Sequence, residues 1–365
     1  MTADLSRVIS QFDTRDPYRS GAPYGSGHIH DTFAVDCGTR RYLLQRINRH
    51  IFGDLDHLME NIDRVTRHIR GKLEAEKCPD TDRRVLTPVR TREGSLLYRD
   101  GENEGWRVYL FIDGAVTYDL VRDLGHARAA AKAFGEFQRA LGDLPAPPLH
   151  EIIPRFHDGP TRYAALERIV SSDPHSRAKD AKKEIEFVRR NAAIFGVVPK
   201  LAEAGALPVR ITHNDTKINN VMIDEKSGEG ICVIDLDTVM AGFSLYDFGD
   251  LVRSSGSGAA EDERDLSKIR LELPKFEALL TGYLAGAGSF LNETERKHLV
   301  HGAKLITLMI GTRFLTDFLD GDRYFRIHRP GHNLERCRTQ YQLVQSLLEQ
   351  ADELDRLVER ISSGS

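Results

Sequence analysis

The sequence predicts an α+β protein in two lobes, β-rich over residues 1–112 and mainly helical over residues 113–365. Three observations predict it. Short β-forming runs between turns fill most of residues 21–112. After Gly114 the spacing changes to long helical periodicities. Within that helical half stands one isolated pair of short apolar runs, Val221-Met222-Ile223 and Ile231-Cys232-Val233-Ile234.

The elements follow in order. Leu5, Val8, Ile9 and Phe12 share a helical face, so the first 20 residues begin with a short helix and a polar link. Thr32–Asp36 and Arg41–Ile47 flank the turn-like Cys37-Gly38-Thr39-Arg40 and predict a hairpin. Leu55, Leu58, Ile62, Val65, Ile69 and Leu73 predict a helix over 54–74. Leu96-Leu97-Tyr98 and the run 106–112 predict strands around Asp100-Gly101, the second serving as connector between the lobes. An alanine-rich helix is predicted over 123–142, stopped by Pro145, Pro147 and Pro148, with a polar, irregular region after it. Further helices are predicted over 177–195, 260–283, 293–320 and 335–361.

Bulk properties narrow the class. The 365 residues are 40% hydrophobic and 29% charged, an ordinary soluble globular composition. Lys and Arg number 51 against 55 acids, and a formal charge of −4 gives no reason to expect nucleic acid or an anionic membrane as partner. The four cysteines are scattered without a C-x-x-C pair, which argues against zinc. The polar start Met1-Thr2-Ala3-Asp4 lacks an apolar signal core, and no run reaches membrane-spanning length. The expectation is a reduced, cytoplasmic protein, monomeric by default.

The informative stretch is Thr212-His213-Asn214-Asp215-Thr216-Lys217-Ile218-Asn219-Asn220, of the form H-x-D-x-x-x-x-N. Asn220 opens one apolar run and Asp235 ends the next; the turn Lys226-Ser227-Gly228-Glu229-Gly230 folds them into a hairpin that brings the two together. A hydroxyl is a poor nucleophile until a base takes its proton, and Asp215 suits that role. An amide oxygen and a carboxylate, Asn220 and Asp235, suit Mg2+, which takes hard oxygen donors. Base, amide and acid together are what transfer of a phosphoryl group from ATP to a hydroxyl requires. Asp237 is open between a metal or substrate contact and a cap, while His213, Asp247 and Asp250 read as scaffold.

The phosphate grip is expected in the first lobe. Gly25, Ser26, Gly27 and His28 run into the first predicted strand, and glycines let free N–H groups approach phosphate oxygens. There is no G-x-G-x-x-G and no Walker-type motif, which disfavours dinucleotide and P-loop folds. Where a lysine would pair the phosphates, the strand 42–47 offers Gln45 and Arg46; either Arg46 substitutes, or the loop and metal carry more of the binding. A partner on the 54–74 helix is open between Glu60 and Asp63.

These residues resemble the aminoglycoside phosphotransferase family, which has a bilobal protein-kinase-like fold, and within it the N-acetylhexosamine 1-kinases. The catalytic loop and Ile234-Asp235 carry the family resemblance. Tyr24–Ile29, Trp106–Tyr109, Phe248-Gly249-Asp250, Arg313-Phe314-Leu315, Gly321-Asp322, Tyr324-Phe325 and His332-Asn333-Leu334 carry the narrower one. The resemblance implies ATP-dependent phosphorylation of N-acetylglucosamine or N-acetylgalactosamine at the anomeric hydroxyl. It implies Asp215 as base, Asn220 and Asp235 on magnesium, adenine against Tyr109, Phe111 and Ile112, and sugar contacts from Arg313, Asp317 and Tyr324. The missing lysine departs from many members. Kinases of another small hydroxyl compound, or a nucleotide-binding pseudokinase, remain the alternatives.

Overall fold

The computed structural model describes residues 4–25 and 29–363. Its first region is a mainly antiparallel sheet built from β1 (Ser20–Pro23), β2 (Asp31–Asp36), β3 (Arg41–Ile47), β4 (Pro88–Val89), β5 (Tyr98–Arg99) and β6 (Gly105–Leu110). The strand order is β1-β2-β3-β6-β4, with β5 also on β6. The predicted hairpin forms with Asp36 opposite Arg41. β3 then pairs with β6, Leu43 facing Tyr109 and Gln45 facing Arg107.

Strand alternation splits this sheet into two faces. Tyr42, Leu44, Trp106 and Val108 pack with Val8, Ile9 and Phe12 of the N-terminal helix and its link into a small core. Ile47 and Tyr109, on the opposite face, join the large core that continues through the second region. The helix Leu55–Ala75 lies against the same large core through Leu55, Leu58, Ile62 and Val65.

The second region is helical, as the sequence predicts, with the interruptions placed differently. The helix Leu124–Ala140 packs on Leu273–Ala287 at backbone distance: a Cβ added at Gly282 would lie 2.2 Å from the Arg128 carbonyl oxygen, and one at Gly286 2.4 Å from that of Lys132. The predicted helix 293–320 is two, Glu293–Lys297 and Leu299–Leu319, and 335–361 divides into His332–Glu349 and Ala351–Ser362. Residues 260–272 hold one short 3-10 turn in place of the predicted helical start.

The region after the prolines is irregular only as far as Asp158. It holds the helix Gly159–Ser172, whose start reads as a turn in sequence because Asp158-Gly159-Pro160 combines an N-cap with an N1/N2 proline. Ser244–Ser255 is a second unpredicted helix, almost wholly buried against Leu299–Leu319.

Two small sheets sit between these helices. β9 (Val221–Asp224) and β10 (Gly230–Val233) form the predicted hairpin, Val221 opposite Val233, and β7 (Ala115–Val116) joins β9. β8 (Arg210–Thr212) pairs with β11 (Met240–Gly242). The loop 213–220 therefore leaves one small sheet and enters the other. Among the described residues no helix is long and apolar enough to cross a membrane.

Candidate active site

The loop is held by one buried carboxylate. Asp247, from the helix Ser244–Ser255, accepts the backbone N–H groups of His213 at 2.9 Å and Asn214 at 2.7 Å, and the Gln138 amide at 2.6 Å. The Thr216 hydroxyl donates to the Asp247 carbonyl at 2.5 Å, and Tyr283 braces Gln138. Burial pushes the Asp247 carboxyl up to about 6 despite these donors and His213. Asn214 adopts the left-handed conformation, φ 65°, which Asn tolerates better than most residues. Its side chain spans to Thr238 O at 2.9 Å.

His213 is a brace, as expected. Its Nε2 donates to Ile234 O at 2.9 Å while Nδ1 accepts from Asp215 N–H, so both ring nitrogens are committed. His157, which the sequence reading left out, donates from Nε2 to Asn214 O at 2.9 Å. Burial lowers His157 to about 3.

Asp215 projects from this frame beside Lys217, whose Nζ lies 3.2 Å from Oδ2. Burial works to raise the Asp215 carboxyl, but Lys217, His213 and Arg253 outweigh it and hold it below the usual carboxylate range. Asn220 donates through Nδ2 to the Asp215 carbonyl at 2.8 Å, and among the described residues its Oδ1 has no hydrogen-bond partner. Ile234 N–H bonds to Asn220 O at 2.9 Å, which brings the end of β10 against the loop. Asp235 follows in the left-handed region, φ 60°. Burial, then the neighbouring Asp237 and Asp215, raise its carboxyl, and no hydrogen bond reaches it among the described residues. A free amide oxygen beside a charge-crowded carboxylate is a donor set that fits Mg2+. His30, Asp235 and Asp237 also come within metal-binding distance of one another.

The N-terminal side of the cleft differs from the sequence reading. Gln45 and Arg46 point to opposite faces of β3. Arg46 pairs with exposed Asp31 and lies over Trp106, so the structure does not bring it into the cleft. The cation that does enter is Arg107, directly across from Gln45 on β6. It is 2% exposed, donates from Nε to Gln45 Oε1 at 2.9 Å, and grips Asp237 through both terminal nitrogens. His30 binds the same carboxylate at 2.5 Å. Burial works against the Arg107 charge, but Asp237 outweighs it and raises the group. A charged residue inside Trp106-Arg107-Val108-Tyr109-Leu110, in register with Gln45, is the sequence signal that marks it. Glu60 and Asp63 are engaged elsewhere, with His150 and with Arg67 and Arg90.

Gly25 takes φ 79°, and Tyr24 beside it packs edge-on against Phe111 at 5.2 Å, placing this turn over the connector. Ser26, Gly27 and His28 lie outside the described residues. Tyr109 and Ile112 are buried in the large core, while Phe111 carries Arg41 over its ring at 4.0 Å.

Arg313 sits among Phe156, Tyr324 and Phe325 at 5.3 to 5.5 Å, with its Nη2 3.3 Å from the Tyr324 hydroxyl. Asp317 does not join it. Its carboxylate faces its own loop, accepting N–H groups from Arg323, Tyr324 and Phe325 and the Asn333 amide, and so holds Tyr324 in place. Asp250 pairs with Arg253 at 2.6 Å, but its buried Oδ2 has no partner among the described residues.

Residues 20–286 match the model of the phosphotransferase enzyme family. The chain belongs to that family. Its α+β fold is also that of solved kinase-like structures. A microcompartment-associated aminopropanol kinase is 15% identical over 96% of this chain and 97% of its own, with a TM-score of 0.57. An aminoglycoside phosphotransferase from Alicyclobacillus acidocaldarius gives 13%, 100%, 97% and 0.59, and a choline kinase from Cryptosporidium parvum 12%, 98%, 98% and 0.58.

Proposed function

We propose that this phosphotransferase moves the γ-phosphoryl group of ATP to the anomeric hydroxyl of an N-acetylated hexose, GlcNAc or GalNAc, giving the α-1-phosphate. Asp215 is the base: held below the usual carboxylate range, it is ionised at neutral pH and can accept the hydroxyl proton as the oxygen meets phosphorus. Asn220 and Asp235 would hold Mg2+, which when bound offsets charge on the phosphates. Lys217 keeps Asp215 charged and oriented.

The observation that carries the choice of acceptor is the charge beyond Asp215. Arg162 and Arg253 lie near enough to Arg313 to disfavour its charge, after burial, and Lys217 flanks the base. Among the described residues no carboxylate pairs with Arg313. Around Arg313 such a site offers no counter-charge to the amine end of acceptors like those named for the aminopropanol and choline kinases. It suits a neutral one whose hydroxyl and acetamido oxygens meet Arg313 while a sugar face lies on Tyr324.

An ATP-consumption assay across sugars, choline, homoserine and an aminoglycoside tests this, with phosphorus NMR of the product. N-acetylhexosamines should be turned over and the phosphate should sit on the anomeric oxygen. Turnover of choline or homoserine with none on N-acetylhexosamines would sink the reading.

A further inference from the structure

We propose that Arg107 supplies the cation which meets the phosphates of the nucleotide on the N-terminal side of the cleft. The proposal rests on the phosphotransfer reading and adds a positioning residue to it.

The geometry comes from a three-strand ladder. Thr32 on β2 faces Gln45 on β3, and Gln45 faces Arg107 on β6. The side chains are linked in that order: Gln45 Nε2 donates to Thr32 Oγ1 at 3.1 Å, and Gln45 Oε1 accepts from Arg107 Nε at 2.9 Å. Gln45 therefore fixes the guanidinium plane without contributing charge. The terminal nitrogens meet Asp237, two residues beyond Asp235, in a buried pair. Arg46, one residue along β3, has the charge but the wrong face, which strand alternation dictates.

A buried guanidinium beside the carboxylates facing the reacting centre is suited to phosphate oxygens, because its fork carries five donors and Asp237 and Gln45 do not use them all. Asp237 is the counter-charge that lets this cation stay buried in the free protein. It also ties β6 to the catalytic hairpin's outgoing chain, as His30 does from the link ahead of β2.

The test compares ADP with adenosine by calorimetry in EDTA, so that a metal near Asp237 does not enter. Wild type should prefer ADP. R107M should lose about ten- to a hundredfold of that preference, the usual worth of charge-assisted hydrogen bonds, while adenosine binds as before. R107M leaves Asp237 as a buried unpaired charge, so R107M/D237N is measured beside it, with melting to confirm the fold. An ADP preference in R107M/D237N equal to wild type overturns the assignment of Arg107. Equal losses for ADP and adenosine also overturn it, since a merely structural role predicts them. A wild type that binds ADP no better than adenosine in EDTA overturns it as well; the same result with Mg2+ restored removes the phosphotransfer reading itself.

Discussion

The two walls of the cleft are built by different rules. On the C-terminal wall, Asp215 and Asn220 sit five residues apart on a single loop, and Asp235 lies just past the end of the strand paired with the one that follows. On the N-terminal wall, the cation comes from Arg107 and its orienting amide from Gln45, 62 residues earlier. A tight loop keeps chemistry and sequence spacing together. A sheet assembles its groups across strands, and only the pairing register says which residues meet.

The sharpest way to break this comparison is at the loop. D215N should lower kcat by about 10²- to 10⁴-fold, the usual contribution of a positioned base, and leave ADP binding unchanged by calorimetry. Turnover near wild type would mean that the loop motif marks a scaffold and not the chemistry.

Next in size is the support beneath the loop. D247A removes the acceptor for the His213 and Asn214 N–H groups and for Gln138, all buried. At about 1–3 kcal/mol for each buried donor left unsatisfied, the loss should be about 3 kcal/mol or more, measured by urea unfolding. A loss under about 1 kcal/mol would show that water or neighbours replace the carboxylate.

How much of this was legible in the sequence follows the same division. The hairpin 221–233 could be placed, and with it the proximity of Asp215, Asn220 and Asp235, because turn, spacing and strand period are all local. The helix Gly159–Ser172 could not, since its cap and proline imitate a turn. Arg46 was offered as one substitute for the lysine and Arg107 was not considered, because the residue that faces Gln45 across the sheet is not visible in the sequence. Asp317 was taken for a sugar contact because it shares a helix with Arg313; that its carboxylate folds back onto three N–H groups depends on the conformation of the chain after residue 320.

A smaller effect separates the loop's two buried titrating braces. His157 is lowered from 6.5 to about 3, so the unfolded chain takes the proton first and acid favours unfolding between about pH 6.5 and 3. Asp247 is raised from 3.8 to about 6, so the folded chain takes the proton first and its contribution grows as pH falls through that range. The two oppose each other. H157Q can keep the donor to Asn214 O without titrating, so its stability relative to wild type should improve from pH 7 to pH 5, by about 1–2 kcal/mol, given two units of pH. Parallel urea midpoints at both pH values would show that His157 does not titrate with folding.

The smallest expected effect is the one that most sharpens the contrast between the walls. R46A removes a cation adjacent in sequence to Gln45, but its partner Asp31 is half exposed and the pair lies on the face turned away from the cleft. Exposed pairs of this kind contribute about 0–1 kcal/mol, so melting should shift little and the KM for ATP should stay within about twofold. If R46A raised that KM tenfold, charge close in sequence would matter more than strand face. The N-terminal wall would then follow the local rule of the catalytic loop.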